Sequence, residues 1–287
     1  MSPTILITGA SGQLGRHVLT ELLKTTPTGQ VAALVRRPEA ATEIEALGVT
    51  VRKGDYNDPA ALSAAMDGIE KLLLISSSEI GQRAPQHRNV IDAAKGAGVS
   101  LIAYTSLLRA DSSTLSLAEE HVETEAYLVD SGVPHVLLRN GWYSENVLGN
   151  APVAIEHGTY IGAIGDGRIS GAPRADYAAA AAAVLTSNEA QAGKVYELAG
   201  DASFALAELA AETSKLTGKP VAYTNMPEAD YAAALLQAGL PEGFATVLAN
   251  SDVAAAQGAL EENGKALSAL IGRPTTPWQD TLAAILA

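Results

Sequence analysis

A glycine-rich turn between the first predicted strand and the first predicted helix constrains the fold of this chain more than any other feature. The sequence from Thr8 to Gly15 reads TGASGQLG, directly after the apolar run Thr4–Thr8 and before a helical pattern over Gln13–Thr25. Glycines at this spacing permit a tight turn, a close approach of the backbone to a pyrophosphate, and close packing of helix on strand. The helix N-terminus offers free N–H groups and a positive dipole end to the anion. The residues predicted to hold a dinucleotide here are Gly9, Ala10, Ser11, Gly12, Gln13 and Leu14. A tight strand–helix turn without a ligand is the alternative.

Short apolar runs alternate with helical patterns along the first half of the chain. The predicted strands are Thr4–Thr8, Val31–Val35, Val49–Val51, Lys71–Ile75, Leu101–Thr105 and His135–Leu138. The predicted helices are Gln13–Thr25, Glu39–Leu47, Pro59–Met66, Gln86–Ala97 and Ala118–Ser131. Glycines that follow the last helical residue are expected to end several of them, at Gly48, Gly68, Gly98 and Gly132. Apolar strands that alternate with helices predict an α/β fold, a doubly wound parallel Rossmann sheet.

The pattern changes after Gly141, which predicts a second, smaller and mostly helical lobe. Residues 151–174 are rich in glycine and are predicted to form a loop with one short strand. An alanine-rich helix over Asp176–Thr186 and a strand over Lys194–Leu198 should return to the sheet. The predicted domains are therefore a Rossmann domain over 1–150, completed by about 176–200, and a C-terminal substrate lobe over 151–175 and 201–287.

Composition excludes several classes of function. The 287 residues carry 19 Lys and Arg against 32 Asp and Glu, a net charge of −13, which argues against nucleic acid as a general partner. The chain has no cysteine, so disulfides, thiol nucleophiles and thiolate metal sites are excluded. Its start has no basic segment and its longest apolar stretch is about nine residues, against roughly 20 for a membrane span. We therefore expect no membrane partner, a cytoplasmic location and no metal, while a homodimer is left open.

The end of the second predicted strand indicates which dinucleotide is bound. An NAD site favours an acidic residue there, whereas an arginine accommodates the 2′-phosphate of NADPH. Val31–Val35 is followed by Arg36 and Arg37, with no carboxylate at the strand tip. Arg36 is the predicted phosphate contact, with Arg37 in support, so the predicted cofactor is NADPH, with NADH as a weaker donor. A solvated surface pair is the alternative.

Polar residues follow other strands at the same predicted edge. Asp55, after the third strand, stands where adenine contacts are often made, or is a turn residue before a helix. The fourth strand ends in Ser76, Ser77 and Ser78, which places hydroxyls beside the cofactor ribose. The sixth strand leads into a polar and aromatic segment that the same rule places near the nicotinamide. Its predicted cofactor-binding residues are Asn140, Gly141, Trp142, Tyr143, Ser144 and Glu145.

Read together, these segments resemble the NmrA-like branch of the atypical short-chain dehydrogenases, and within it the bacterial type-2 NAD(P)H:quinone oxidoreductases. The resemblance is carried by TGASGQLG, Arg36, the stretches Leu72–Val99 and Ala103–Leu108, HVETE at 121–125, and LLRNGWYSEN at Leu137–Asn146. It extends over essentially the whole chain. It implies an NADPH-dependent reductase with a small-molecule quinone or another flat acceptor, bound in a cleft between two lobes. It also implies that the glycine loop, Arg36, Ser76–Ser78 and Asn140–Glu145 hold the cofactor.

The chain departs from ordinary short-chain dehydrogenases at one important point. Those enzymes use a Tyr-xxx-Lys pair on the helix after the fifth strand, where the lysine lowers the pKa of the tyrosine that protonates an alkoxide. Here the helix Ala118–Ser131 has no lysine, and Ser131 stands four residues after Tyr127. Ketone reduction and sugar epimerisation are therefore disfavoured. A quinone needs only a hydride and stacking, because solvent can protonate the stabilised anion.

The catalytic residues stay unknown at this stage, with His121 and Tyr143 as candidates. His121 and Glu125 share a helical face and could relay a proton, or form an exposed pair. Trp142 and Tyr143 could form an aromatic wall, although core packing of Trp142 is equally compatible with the sequence. The function predicted is direct two-electron quinone reduction with NADPH. The alternative is an NADP(H)-binding redox sensor that regulates a partner without turnover.

Overall fold

The structure is a computed structural model that describes residues 2–287, so Met1, the first residue of the predicted Rossmann domain, lies outside the described residues. The strands are β1 Ile5–Ile7, β2 Val31–Val35, β3 Thr50–Lys53, β4 Lys71–Leu74, β5 Leu101–Leu107, β6 His135–Asn140, β7 Thr159–Gly162, β8 Arg168–Ile169, β9 Val195–Leu198, β10 Phe204–Ala205 and β11 Ala222–Asn225. The helices are α1 Gln13–Leu22, α2 Pro38–Glu45, α3 Pro59–Ala65, α4 Arg83–Gly96, α5 Ala118–Ser131, α6 Ser144–Leu148, α7 Ala151–His157, α8 Arg174–Thr186, α9 Leu206–Thr217, α10 Glu228–Gln237, α11 Glu242–Ala256, α12 Ala266–Ile271 and α13 Trp278–Leu286.

The chain divides into two compact units. Of the described residues, the first unit contains 2–110, 119–140 and 174–197, and the second contains 111–118, 141–173 and 198–287. These units differ from the predicted lobes chiefly at residues 111–118 and 141–150, which belong to the second unit. The physical reason at 141–150 is packing, since α6 lies against α13.

The first unit is built on the predicted α/β sheet, which has seven strands in the order β3-β2-β1-β4-β5-β6-β9. The pairings from β3 through to β6 are all parallel. Residues of β1, β2 and β5 are buried on both faces, because helices cover the sheet on each side. The strand order reverses between β1 and β4, and the carboxyl ends of strands at such a switch point are where this fold binds ligands.

The predicted helix boundaries follow from local signals. Asp58 accepts a hydrogen bond from the N–H of Ala61 and so begins α3. The predicted glycine ends are confirmed, because these glycines all have positive φ: Gly48, Gly68, Gly98 and Gly132. The alanine-rich helix α8 packs against α1 and the sheet, as its small buried side chains allow.

The second unit contains short strands and most of the later helices. The strand β7 pairs with β11 in parallel, and β8 pairs with β10 in antiparallel orientation. The prediction of a loop with one strand over 151–174 is wrong, since this segment forms α7, β7 and β8. Pro152 stands in the first turn of α7, and Gly158 ends that helix in the left-handed conformation, so both ends have local causes. Across residues 2–287, none of the helices has both the length and the apolar character that crossing a membrane requires.

Candidate cofactor-binding site

The loop between β1 and α1 forms a backbone cradle whose closest contacts require glycine. Gly9 has a φ of 57°, and its carbonyl accepts a hydrogen bond of 2.9 Å from the N–H of Gly12. Gly12 precedes α1 and supplies no side-chain cap to its first turn. A Cβ atom at Gly15 would lie 2.3 Å from the carbonyl oxygen of Gly9, so the helix can approach the loop this closely only without a side chain at position 15. The chemistry of this donor set fits a pyrophosphate, which would accept from the uncapped N–H groups.

Arg36 lies at the tip of β2 with its side chain 57% exposed, and two carboxylates flank it. Its Nη1 lies 2.8 Å from Oε1 of Glu79, and its Nε lies 3.5 Å from Oδ2 of Asp55. The hydrogen bond with Glu79 is the main cause that raises the pKa of Arg36. Asp55 also accepts a hydrogen bond of 2.8 Å from the N–H of Asn57, which closes the turn before α3. Arg37 is exposed and precedes α2.

The backbone of Ser76 and Ser77, the first two of the three serines after β4, is held by buried side chains. The N–H of Ser76 donates to Oγ1 of Thr105 at 2.9 Å, and the N–H of Ser77 donates to Nε2 of His87 at 2.9 Å. The carbonyl of Ser77 accepts from Nε of Arg83 at 2.8 Å. Both backbone polar groups of Ser77 are therefore fixed by side chains of α4.

His87 positions the loop after β4 and is absent from the residues predicted for the site. Its burial, followed by the charge of Arg83, lowers its pKa to about 3, so the ring is neutral. Since Nε2 accepts from Ser77, Nδ1 carries the proton and donates to Oγ1 of Thr124 at 3.0 Å. Arg83 and His87 stand one helical turn apart in α4, and that spacing is the signal that could have identified them.

Hydroxyl groups of two side chains form hydrogen bonds between the ends of β1 and β4 at the switch point. Oγ1 of Thr8 donates to the carbonyl of Leu73 and accepts from the N–H of Ile75, both at 3.0 Å. The hydroxyl of Tyr56 lies 2.6 Å from Oγ1 of Thr8 and 2.8 Å from the carbonyl of Ile75. These contacts join the ends of β1 and β4. They fix the positions at which the glycine loop after β1 and the loop 76–79 after β4, here called the serine loop, begin.

The predicted pairing of His121 with Glu125 is wrong, because each residue has a different buried partner. His121 is 6% exposed, and its Nδ1 lies 2.7 Å from the hydroxyl of Tyr104. Burial is the main cause that lowers the pKa of His121 to about 3, so it is neutral. Glu125 is 8% exposed and bonds to Arg139 instead. An exposed His–carboxylate pair is therefore also wrong, while a catalytic role for His121 stays a prediction.

Arg139 joins two carboxylates in a buried cluster at the end of β6. Its Nη2 lies 2.6 Å from Oε2 of Glu125, and its Nη1 lies 2.9 Å from Oε1 of Glu197. The other oxygen of Glu197 accepts from the N–H of Arg109 at 2.7 Å. Arg109 has a φ of 49°, which is unusual for a residue with a side chain. The cluster thus fixes both the charges and the strained turn after β5.

The remaining predicted residues follow β6. Asn140 ends that strand in the first unit, while Gly141–Glu145 belongs to the second unit. Within the second unit, Tyr143 pairs with Ala172, and the N–H of Ser144 donates to the carbonyl of Ala172 at 2.9 Å.

The side chains of this segment differ in burial. Trp142 and Tyr143 are half-buried, which disfavours a core position for Trp142. The hydroxyl of Ser144 is buried and has no hydrogen-bond partner within residues 2–287. A buried hydroxyl in that state is one that a ligand can satisfy.

Tyr127 does not serve as the tyrosine of a Tyr-xxx-Lys pair. Its hydroxyl donates to Oδ1 of Asp92 at 2.7 Å, and the guanidinium of Arg88 lies 5.3 Å from its ring centre. Both partners belong to α4, so the tyrosine of α5 faces the neighbouring helix. This position supports the view that an alkoxide-protonating pair is not part of the site.

Comparisons with known proteins agree on a nicotinamide cofactor. Residues 9–188 match the NAD(P)H-binding family. Quinone oxidoreductase 2 of Escherichia coli (strain K12) is 60% identical over 279 residues, which cover 97% of each chain. The crystal structure of NADPH-dependent quinone oxidoreductase QOR2 from Escherichia coli, complexed with NADPH, has a TM-score of 0.97 at 58% identity and covers 99% of this chain and 100% of that one. The triphenylmethane reductase of Citrobacter sp., complexed with NADP(H), has a TM-score of 0.94 at 35% identity and covers 98% and 100%.

Proposed function

The chain belongs to the NAD(P)H-binding family, and from that premise we propose that it is an NADPH-dependent reductase that transfers two electrons directly to quinones. The single observation that carries this proposal is the near-full-length identity of 60% to a quinone oxidoreductase. The fold also supports the proposal, since it has a parallel sheet, a glycine cradle and an exposed arginine at the end of β2. No step of this reaction requires a Tyr-xxx-Lys pair.

We assign the binding of NADPH to four segments of the chain. The backbone N–H groups within Gly9–Leu14 bind the pyrophosphate, and Arg36 binds the 2′-phosphate. Asp55 lies beside Arg36 on the adenine side. Ser76–Ser78 hold the ribose, and His87 and Arg83 fix the backbone of Ser77 in place. Asn140–Glu145 provide the surface for the nicotinamide.

The protein supplies orientation and shielding to the reaction. When bound, the dihydronicotinamide supplies the hydride. Trp142 and Tyr143 present half-buried aromatic faces, on which a flat acceptor can stack. The balance is one NADPH and one proton consumed for each quinone reduced to hydroquinone, and solvent supplies that proton. Burial lowers the pKa of His121, so its imidazole is neutral at neutral pH and is not present as the imidazolium form.

Stopped-flow measurement of NADPH oxidation with a simple benzoquinone tests the proposal. We expect one NADPH oxidised per quinone reduced, at a rate above the uncatalysed background, without reduction of added cytochrome c. Gly12→Asp is the matched control, because a carboxylate beside Gly9 repels the pyrophosphate and should abolish binding. Binding of NADPH without turnover would favour the redox sensor instead. A cytoplasmic location and a homodimer stay predictions from the sequence.

A further inference from the structure

The cation assigned to the 2′-phosphate already has an anionic partner within the chain. Arg36 forms its shorter ion pair, 2.8 Å, with Glu79, while Asp55 lies 3.5 Å away. Glu79 comes from the loop after β4, 43 residues further along the chain. An incoming phosphate must therefore displace this carboxylate or share the guanidinium with it.

Glu79 is held in place although its side chain is 43% exposed. Its Oε1 accepts from Arg36, and its Oε2 accepts from Nε2 of Gln86 at 2.8 Å. Gln86 is only 2% exposed, so this donor has a fixed position in α4. The N–H of Glu79 also donates to Oγ of Ser77 at 3.2 Å. The carboxylate is thus fixed on both oxygens and belongs to the serine loop.

The charge of Glu79 has opposite consequences for the two nicotinamide cofactors. Its hydrogen bond with Arg36 is the main cause that lowers its pKa, so it is ionised at neutral pH. A 2′-phosphate is repelled by a fixed carboxylate and competes with it for Arg36. A 2′-hydroxyl carries no charge and needs an acceptor, which a carboxylate is. In NAD sites an acidic residue at the end of the second strand has that role, and here that strand ends in arginines.

We propose that Glu79 is a specificity-determining residue that limits the preference for NADPH and keeps NADH usable as a donor. The inference rests on the proposed function only in taking Arg36 as the contact of the 2′-phosphate. Glu79 lowers the affinity for the phosphate by occupying Arg36, and it accepts the hydroxyl that NADH presents in the same place.

A purely positioning role for Glu79 predicts the opposite sign. If the carboxylate only oriented Arg36 toward the phosphate, its removal would weaken NADPH and leave NADH unchanged. The ratio of the two dissociation constants therefore separates the two roles, because loss of fold or of the shared nucleotide site weakens both cofactors together.

The test measures the dissociation constants of NADPH and NADH for Glu79→Gln by fluorescence titration, at low and at high salt. The proposal expects the ratio of Kd for NADH to Kd for NADPH to rise by about two- to fivefold, as is typical for an exposed ion pair. The rise should shrink at high salt. Glu79→Ala should shift the ratio in the same direction, since it removes the same charge.

Glu123→Gln is the matched control. It removes one carboxylate from an equally exposed pair, Arg88 and Glu123, which lie 2.5 Å apart with both side chains 49% exposed. For Glu123→Gln, the ratio of Kd for NADH to Kd for NADPH should equal that of the wild type. An unchanged or lower ratio in Glu79→Gln would overturn the proposal. These titrations contain no quinone, so a failure of quinone turnover is detected separately and leaves this result intact.

Discussion

Replacement of Gly15 by alanine gives the sharpest test of the glycine cradle. A Cβ atom there would lie 2.3 Å from the oxygen of Gly9 and 2.7 Å from Cα of Ala10. Both are backbone atoms, which cannot rotate out of the way. Ordinary contact begins at 3.4 Å, so the loop must move away from α1 by 3.4 − 2.3 = 1.1 Å.

The magnitude follows from two opposing effects on stability and one on binding. Overpacking costs about 1–3 kcal/mol, and alanine returns roughly 1 kcal/mol through its higher helix propensity. The net loss of unfolding free energy should therefore lie between about 0 and 2 kcal/mol. A displaced loop loses hydrogen bonds to the pyrophosphate, each worth about 1.5–3 kcal/mol, so cofactor affinity should fall about tenfold or more. The affinities for NADPH and NADH should fall by the same factor, because both cofactors carry the pyrophosphate.

Urea unfolding and fluorescence titration with each cofactor measure these effects. Gly96→Ala is the matched control, since Gly96 ends α4 and a Cβ atom there meets nothing within 4 Å. That variant should be as stable as the wild type or gain about 0.5–1 kcal/mol, with unchanged binding. Wild-type affinity of Gly15→Ala for both cofactors, or a loss confined to NADPH, would refute the assignment of this loop to the pyrophosphate.

Three further substitutions test separate parts of the structure. Arg36→Ala should weaken NADPH about tenfold or more and leave NADH near its wild-type affinity, whereas equal losses by titration would exclude the 2′-phosphate contact. Glu125→Ala leaves Arg139 buried with one fewer carboxylate and should cost about 3 kcal/mol in urea unfolding, while Glu123→Ala should cost less than about 1 kcal/mol; similar values would contradict a buried cluster. Burial raises the pKa of Asp252 to about 6, so this group favours the folded state at low pH, and its contribution is lost as pH rises from about 4 to 6. Asp252→Asn should therefore gain about 2–3 kcal/mol relative to the wild type across that window, and a gain that does not change with pH would contradict the shift.

The order of elements in the first unit could be predicted from the sequence because its signals are local. A strand covered on both faces is apolar throughout, as β2 is, and a glycine at a helix end marks the left-handed turn. The edge of the sheet that carries Gly9, Arg36 and Ser76 follows from parallel topology alone. The segment 151–174 was mispredicted because its glycines dominate the composition of the segment, although all of them follow the short helix α7.

The cofactor-binding fold and the residue types at its edge could be predicted from local patterns, because periodicity and turn residues act over a few positions. Which charged groups meet depends on how the elements pack in the folded chain. His121 and Glu125 lie one helical turn apart on α5. In the folded chain, however, His121 contacts Tyr104 of β5, and Glu125 contacts Arg139 of β6. Arg36 meets Glu79 only because β2 and β4 both flank β1 in the sheet, which brings loops distant in the sequence to one edge. Contacts of this kind depend on strand order, which residue spacing does not encode.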